Sequence, residues 1–156
     1  MGSCGNMIEE NQGEEKTVPQ VFNCLLDSIG KNDTLQVNYI TKGCFHSYME
    51  KLSIYRKADS LFTELTVSVP DVQMVLPPLS QCLTDSAALA FVEFEKEGRA
   101  LNNENTCTTN DEYIVIVRAD SFKFEDLGCE FRRYDILKNR IFGREQINSY
   151  YNKLYQ

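Results

Sequence analysis

The histidine at position 46 and the cysteine two residues before it are the first candidates for chemistry, since the chain has one histidine. In an extended segment, Cys44 and His46 would share one face. Such a pair can act as nucleophile and base, or as metal ligands. No third ligand or orienting group follows at a motif spacing, and a histidine at the rim of a strand is the plainer interpretation. We therefore predict no metal site and keep His46 for the hypothesis of an enzyme.

Cysteines are the second candidates, and none of them is paired at the two-residue spacing of a zinc knuckle or a redox dithiol. Cys107 and Cys129 flank the predicted last hairpin, which makes them a candidate disulfide in an oxidising compartment. The alternative is two separate thiols. Cys24 and Cys82 fall in or near predicted helices and are expected to be core thiols. The six cysteines are Cys4, Cys24, Cys44, Cys82, Cys107 and Cys129.

Carboxylates are plentiful, but no acid–base pair is recognisable among them. Glu93, Glu95 and Glu97 are expected to point to different sides of a helix and to be solvated. The Asn- and Thr-rich segment 99–112 lacks the glycine and terminal glutamate of a calcium loop. Serine hydrolase elbows, phosphate-binding loops and dinucleotide fingerprints are absent from the sequence. We predict no catalytic residue and no cofactor.

The elements that must position these residues are typical of an α+β domain. Alternating apolar residues predict strands near 35–39, 48–54 and 61–69, with a hairpin turn at 58–60. Residues 70–80 are expected to form an extended connector, because Pro70, Pro77 and Pro78 interrupt them. The prediction is an antiparallel sheet of about five strands (three plus two) packed by helices, in the order α-βββ-α-ββ-α. Its remaining parts are helices over 17–30, from 84–86 to Gly98, and around Tyr134–Leu154, with strands over 113–117 and 122–127 joined by an Asp120-Ser121 turn.

Composition and charge narrow the classes of partner. The chain has 156 residues, 42% of them hydrophobic, and a net charge of -7, which fits one globular domain and argues against nucleic-acid binding. No apolar run approaches the roughly 18 residues of a membrane span. A basic C-terminal segment is expected to be the solvated face of helices, with a patch for phosphate or an acidic partner as the alternative. Its basic residues are Arg132, Arg133, Lys138, Arg140, Arg144 and Lys153.

Residues 1–16 form a polar N-terminal tail that is predicted to be a flexible tether, ahead of a single domain over 17–156. The start Met1-Gly2-Ser3-Cys4 resembles the mature, signal-less form of Gram-negative lipoproteins, in which small residues precede the modified cysteine. Gly43-Cys44-Phe45-His46 and Gly128-Cys129 look like small uncharacterised lipoproteins of the same bacteria. The resemblance implies lipid attachment at Cys4 and a place in the cell envelope, on the periplasmic side of a membrane or at the cell surface. A myristoylated and palmitoylated end, or an unmodified tail on a cytoplasmic protein, are the alternatives.

The leading functional hypothesis is a non-enzymatic binding or interaction module, touching a membrane through a lipid anchor alone. Its partner would be a protein or a small ligand, and an inhibitor of a secreted enzyme is one version. Phe45, His46 and Tyr48 form the candidate contact surface, together with the loop 99–112. The alternatives are an enzyme using carboxylates and His46, and an intracellular regulatory domain with free thiols.

Overall fold

A computed structural model describes residues 25–43, 47–102, 107, 110–129 and 131–156. It is an α+β structure built on an open antiparallel sheet, as the sequence predicts, although the described sheet has seven strands rather than about five. The strands are β1 (Thr34–Lys42), β2 (Ser47–Lys57), β3 (Ser60–Val69), β4 (Met74–Val75), β5 (Leu79–Cys82), β6 (Asn110–Val117) and β7 (Asp120–Asp126), and the helices are α1 (Asp85–Arg99), α2 (Arg133–Phe142) and α3 (Arg144–Asn152).

The strand order is β4-β3-β2-β1-β6-β7, with β5 also paired to β3. The β2–β3 hairpin predicted from the sequence is confirmed, and Lys57 pairs with Ser60 across its two-residue turn. The turn predicted at Asp120-Ser121 is wrong, because Asp120 already pairs with Val117 in β7. The β6–β7 turn is instead Arg118-Ala119, two residues earlier.

The segment 70–80, predicted to be an extended connector, contains two short strands that pair with the outer edge of β3. Between them, the amide of Leu76 still donates to the carbonyl of Val67 at 2.8 Å. Pro77 and Pro78 then interrupt the ladder, since proline has no N–H to donate. β4 and β5 therefore act as one edge strand broken by two prolines, and a sequence rule that ends strands at proline overlooks it.

The hydrophobic core lies between one face of the sheet and the helices. Alternating residues of β1, namely Leu35, Val37 and Tyr39, are buried, whereas Gln36 and Asn38 on the opposite face are half-buried. Aromatic rings fill the middle of this core and join sheet to helices, as expected from their large buried area. The Phe94 ring of α1 is within 6.0 Å, centroid to centroid, of the rings of Phe91, Tyr113, Phe124, Phe131 and Tyr134.

Helix α1 begins where the sequence predicts, because the Thr84 side chain accepts a hydrogen bond from the amide of Ala87 and caps the helix. The prediction that Gly98 stops this helix is wrong, since the helix continues to Arg99. Gly98 is buried in the last turn, against the ring of Phe124. A Cβ at this position would lie 2.5 Å from two carbons of that ring. Glycine is therefore required here for close packing of α1 on β7.

The predicted tether 1–16, with Cys4, lies outside the described residues, as does most of the predicted helix over 17–30. Its described end, Leu25–Ser28, is a short 3-10 helix. The cores of the C-terminal helices match the sequence prediction, since Tyr134, Leu137 and Ile141 are buried. None of the helices in the described ranges is long and apolar enough to cross a membrane.

Gly98→Ala tests the close approach of α1 and β7. An alanine in a helix ordinarily stabilises it relative to glycine by roughly 0.5–1 kcal/mol. Here we expect the reverse, a loss of about 1–3 kcal/mol in the free energy of unfolding, because the new methyl overpacks against Phe124. Urea denaturation measures the effect. In a Phe124→Leu background the penalty should shrink, and a Gly98→Ala variant more stable than the parent would contradict the packing.

Candidate ligand-binding cleft

A buried ion pair joins the sheet to α2, and its two side chains are the least exposed of any ion pair among the described residues. The Lys138 ammonium lies 3.0 Å from one Glu50 carboxylate oxygen and 3.3 Å from the other. The side chain of Glu50 is 0% exposed and that of Lys138 is 5% exposed. Each charge is costly to bury alone, so each depends on the other and on further hydrogen bonds.

Tyr151 completes the ion pair from α3. Its hydroxyl donates to the Glu50 carboxylate at 2.6 Å and accepts from the Lys138 ammonium at 2.8 Å. Asp135, one turn before Lys138 in α2, lies 3.3 Å from the same ammonium. The Lys138 ammonium thus donates hydrogen bonds to Glu50 and Tyr151, and Asp135 adds a second carboxylate beside it. We call these four residues the buried ion network after its buried central pair, Lys138 and Glu50; Asp135 is its exposed member. The network fixes α2 and α3 on β2.

Local structure explains how these charges reach the core. Glu50 has the same parity in β2 as Leu52 and Ile54, which are buried on the helix side. Lys138 follows Tyr134 by four residues and so shares its helical face. The prediction that the basic C-terminal segment is a solvated face is wrong for Lys138. Two opposite charges in otherwise apolar periodic positions were the available signal, and the sequence prediction missed it.

Burial sets the protonation of the tyrosines around the buried ion network. Burial first, and the Glu50 charge next, raise the pKa of Tyr48 and of Tyr151 far above that of a free phenol. The pKa of fully buried Tyr134 is raised by the same causes, and its hydroxyl has no hydrogen-bond partner among the described residues. These phenols stay protonated near neutral pH, so they serve as hydrogen-bond donors and apolar surface rather than as bases.

Above Lys138 opens a cleft of about 440 Å³, within the size range of small-molecule sites. Its walls come from the start of β2, the end of β3, the turn that follows β3, β4, and the C-terminal helices. The Ser47 hydroxyl donates to the Asp71 carboxylate at 2.9 Å across the rim. The cleft is lined by Ser47, Tyr48, Val69, Asp71, Val72, Met74, Asp135, Lys138, Tyr151, Leu154 and Tyr155.

Of the contact surface predicted from the sequence, Tyr48 lines this cleft. Phe45 and His46 lie outside the described residues, and so do Cys44 and the proposed lipid-attachment residue Cys4. The loop 99–112 is described in part, and none of its described residues lines the cleft. Among the described residues, no group of three His, Cys, Asp or Glu side chains could hold a metal ion.

The candidate disulfide is present, and it joins Cys107 to Cys129 with their Cα atoms 6.1 Å apart. The amide of Cys107 also donates to the carbonyl of Leu127 at 2.7 Å, which continues the hairpin pairing beyond β7. The disulfide thus closes the open end of the β6–β7 hairpin. Cys82, predicted to be a core thiol, is exposed at the end of β5 instead, because the segment is an edge strand rather than part of a helix.

The glutamates of α1 also differ from expectation. Glu93 and Glu97 are one turn apart and both pair with Arg133 of α2, at 3.0 and 2.6 Å. Glu95 is buried between them in sequence, where it pairs with Arg99 and accepts the amide of Leu25. These contacts hold α1 against α2 and against the 3-10 helix, and they lie apart from the cleft.

Comparison of the chain with protein families, with curated proteins and with solved structures found no match. The chemistry of the cleft therefore rests on its own residues. Its lining combines apolar walls, three tyrosine rings, two carboxylates and one fully engaged ammonium. Such a lining can enclose a ligand and orient it through a few polar contacts.

Lys138→Met tests the buried ion network. Removing the ammonium leaves the Glu50 carboxylate buried without its counterion, and we expect a loss of about 3–5 kcal/mol in the free energy of unfolding. In a Glu50→Gln background the same change should cost less than half as much, because no charge is stranded. Chemical denaturation of the four proteins of this double-mutant cycle gives the coupling.

Lys51→Met is the matched control, because Lys51 neighbours Glu50 in β2 but is exposed. We expect it to change the free energy of unfolding by no more than about 0.5 kcal/mol. Equal costs for Lys138→Met in the two backgrounds would contradict a coupled pair.

Proposed function

We propose that the domain is a non-enzymatic binding module and that the cleft above Lys138 is its ligand site. The observation that carries the proposal is that one cleft combines apolar walls with a polar floor, which is formed by Lys138 and the rest of the buried ion network. Val69, Met74 and Leu154 supply hydrocarbon surface. Tyr48 and Asp135 bring polar atoms to the same space. A mainly apolar pocket with few convergent polar groups is the usual form of a small-ligand site.

The protonation of the floor supports binding over catalysis. A nucleophilic or basic lysine must have its nitrogen free to reach a substrate, whereas the Lys138 nitrogen is held by Glu50, Tyr151 and Asp135. A tyrosine that acts as a base must ionise, and the raised pKa values of Tyr48 and Tyr151 oppose this. The buried ion network is therefore suited to holding a fixed shape rather than to moving protons.

A second part of the proposal concerns location: the domain works in the cell envelope, attached through a lipid on Cys4. The resemblance of Met1-Gly2-Ser3-Cys4 to lipoprotein starts motivates it. The Cys107–Cys129 disulfide supports it, because disulfides persist in oxidising compartments and are rare in the reducing cytosol. A largely polar tether of about 16 residues would let the cleft reach ligands away from the membrane surface.

The cleft is tested by screening small apolar-bodied fragments while following the backbone amide signals by NMR. We expect fragments to shift the amides of Val72, Met74 and Leu154 and to bind in the millimolar range. Val72→Ala should weaken their binding about threefold to tenfold, because it removes part of the apolar wall. Val75→Ala is the matched control, since both valines are 65% exposed and Val75 does not line the cleft. Fragments that bind only elsewhere, or not at all, would overturn the proposal.

The location is tested on protein expressed in its native organism. We expect the protein to partition into detergent and to move to the aqueous phase when Cys4 is changed to Ser. Cys82→Ser, which alters an exposed thiol in the domain, should leave the partition unchanged. Trapping of thiols before lysis should find Cys107 and Cys129 blocked. Aqueous partition of the parent protein, or free thiols at both positions, would argue for the cytoplasmic alternative.

A further inference from the structure

The charges and rings around the cleft say more about its ligand, on the assumption that the proposed function is correct. We infer that the cleft binds a small organic cation, an ammonium group carried on a hydrocarbon body. The inference rests on three features of the lining: its charge balance, the engagement of Lys138, and the tyrosine rings beside the carboxylates.

The charge balance of the cleft is negative. Among the lining residues that the structure describes, there are two carboxylates, Asp71 and Asp135, against the ammonium of Lys138. Glu50 lies directly behind that ammonium, within 3.0 Å, and offsets its charge. The space that a ligand would enter is thus bounded by the two aspartates, both of which are exposed. Carboxylates so placed attract a cation and repel an anion.

Lys138 is not an anchor for an anion, although it is the only cation among the described residues of the lining. Its protons face Glu50, Tyr151 and Asp135. A ligand carboxylate or phosphate would have to displace one of these acceptors and would then face the remaining carboxylates. Replacing a hydrogen bond already made to a charged group gives little net gain, and the added repulsion makes anion binding unfavourable.

The tyrosines and the apolar wall fit the two ends of an organic cation. Rings of Tyr48, Tyr151 and Tyr155 line the cleft, and an ammonium is attracted to the face of an aromatic ring. Lys138 itself lies over three tyrosine rings, 5.1 Å from the centroid of Tyr151 in the lining, and 4.6 and 5.9 Å from those of Tyr134 and Tyr39 behind it. Hydrocarbon of the ligand would contact Val69, Met74 and Leu154. The volume of about 440 Å³ admits a ligand of this size.

Three probes of similar body and different charge test the inference: 2-phenylethylammonium, 2-phenylethanol and 3-phenylpropionate. Titrations followed by NMR at low ionic strength give the dissociation constant of each. We expect the ammonium to bind at least tenfold more tightly than the alcohol, and the carboxylate to bind most weakly. Raising the salt concentration should weaken the binding of the ammonium probe and leave the binding of the alcohol unchanged, because salt screens exposed charges.

Two variants assign the preference to its residues. Asp71→Asn and Asp135→Asn should each raise the dissociation constant of the ammonium probe about fivefold. The dissociation constant of the alcohol should stay within twofold of its value for the parent protein. Asp59→Asn is the matched control, because it makes the same charge change at the exposed turn at the other end of the β2–β3 hairpin. We expect no effect of this control on any probe.

The outcomes separate this inference from the proposed function. If no probe shifts the amides of the cleft, the cleft is not a ligand site and both statements fail. If the alcohol or the carboxylate binds there as tightly as the ammonium, the cleft is a ligand site and the cation preference is wrong. An ammonium preference that survives both aspartate changes would also overturn the assignment.

Discussion

The contact between Lys138 and Glu50 is the constraint on which the arrangement of the helices depends. A lysine and a glutamate removed from water lose several kcal/mol of hydration each, and only close pairing with further hydrogen bonds offsets the loss. The structure meets this condition by bringing Tyr151 and Asp135 to the same place. Because those residues come from α2 and α3, satisfying one pair of charges fixes the position of both helices on β2.

The rest of the core continues from the buried ion network as a layer of rings. The ring of Tyr134 lies 5.3 Å from that of Tyr39 and 5.9 Å from that of Phe94, which connects the charged end of the molecule with the apolar end. At the far end, Gly98 allows Phe124 to approach α1. The two ends have different roles: close apolar packing holds one, and hydrogen bonding to buried charge shapes the other. The cleft lies at the charged end, where geometry is specified by directional contacts.

Local patterns were sufficient to predict most of this fold. Alternation in β1 and the helical spacing of Tyr134, Leu137 and Ile141 are properties of single segments, and each segment buries the face that its pattern indicates. The edge strands β4 and β5 were missed because the sequence prediction ended the strand at proline. At a sheet edge, a proline removes a hydrogen bond that would face outward, or it interrupts the ladder only locally. Pairing with β3 supplies the remaining bonds, and no local pattern shows it.

The site was harder to predict than the fold. Glu50 and Lys138 are 88 residues apart, and each taken alone is an ordinary surface residue type. Their burial follows from the match between two distant positions, which periodicity within a segment cannot reveal. Tyr48 could be predicted because the apolar residues of its strand alternate with polar ones. Its partners in the cleft, such as Tyr155 and Val72, come from two short 3-10 helices whose sequences have no period.

The two walls of the cleft come from widely separated parts of the chain, residues 47–74 and 135–155. During synthesis, the hairpin that carries Glu50 is complete long before the ribosome reaches Lys138. At about 5–20 residues per second, several seconds pass in which this carboxylate has no counterion. Until α2 is synthesised, the Glu50 carboxylate is more stable in contact with water. We therefore expect this face of the nascent sheet to stay uncovered. The cleft is consequently completed last, because Tyr151, Leu154 and Tyr155 are the final lining residues to leave the ribosome.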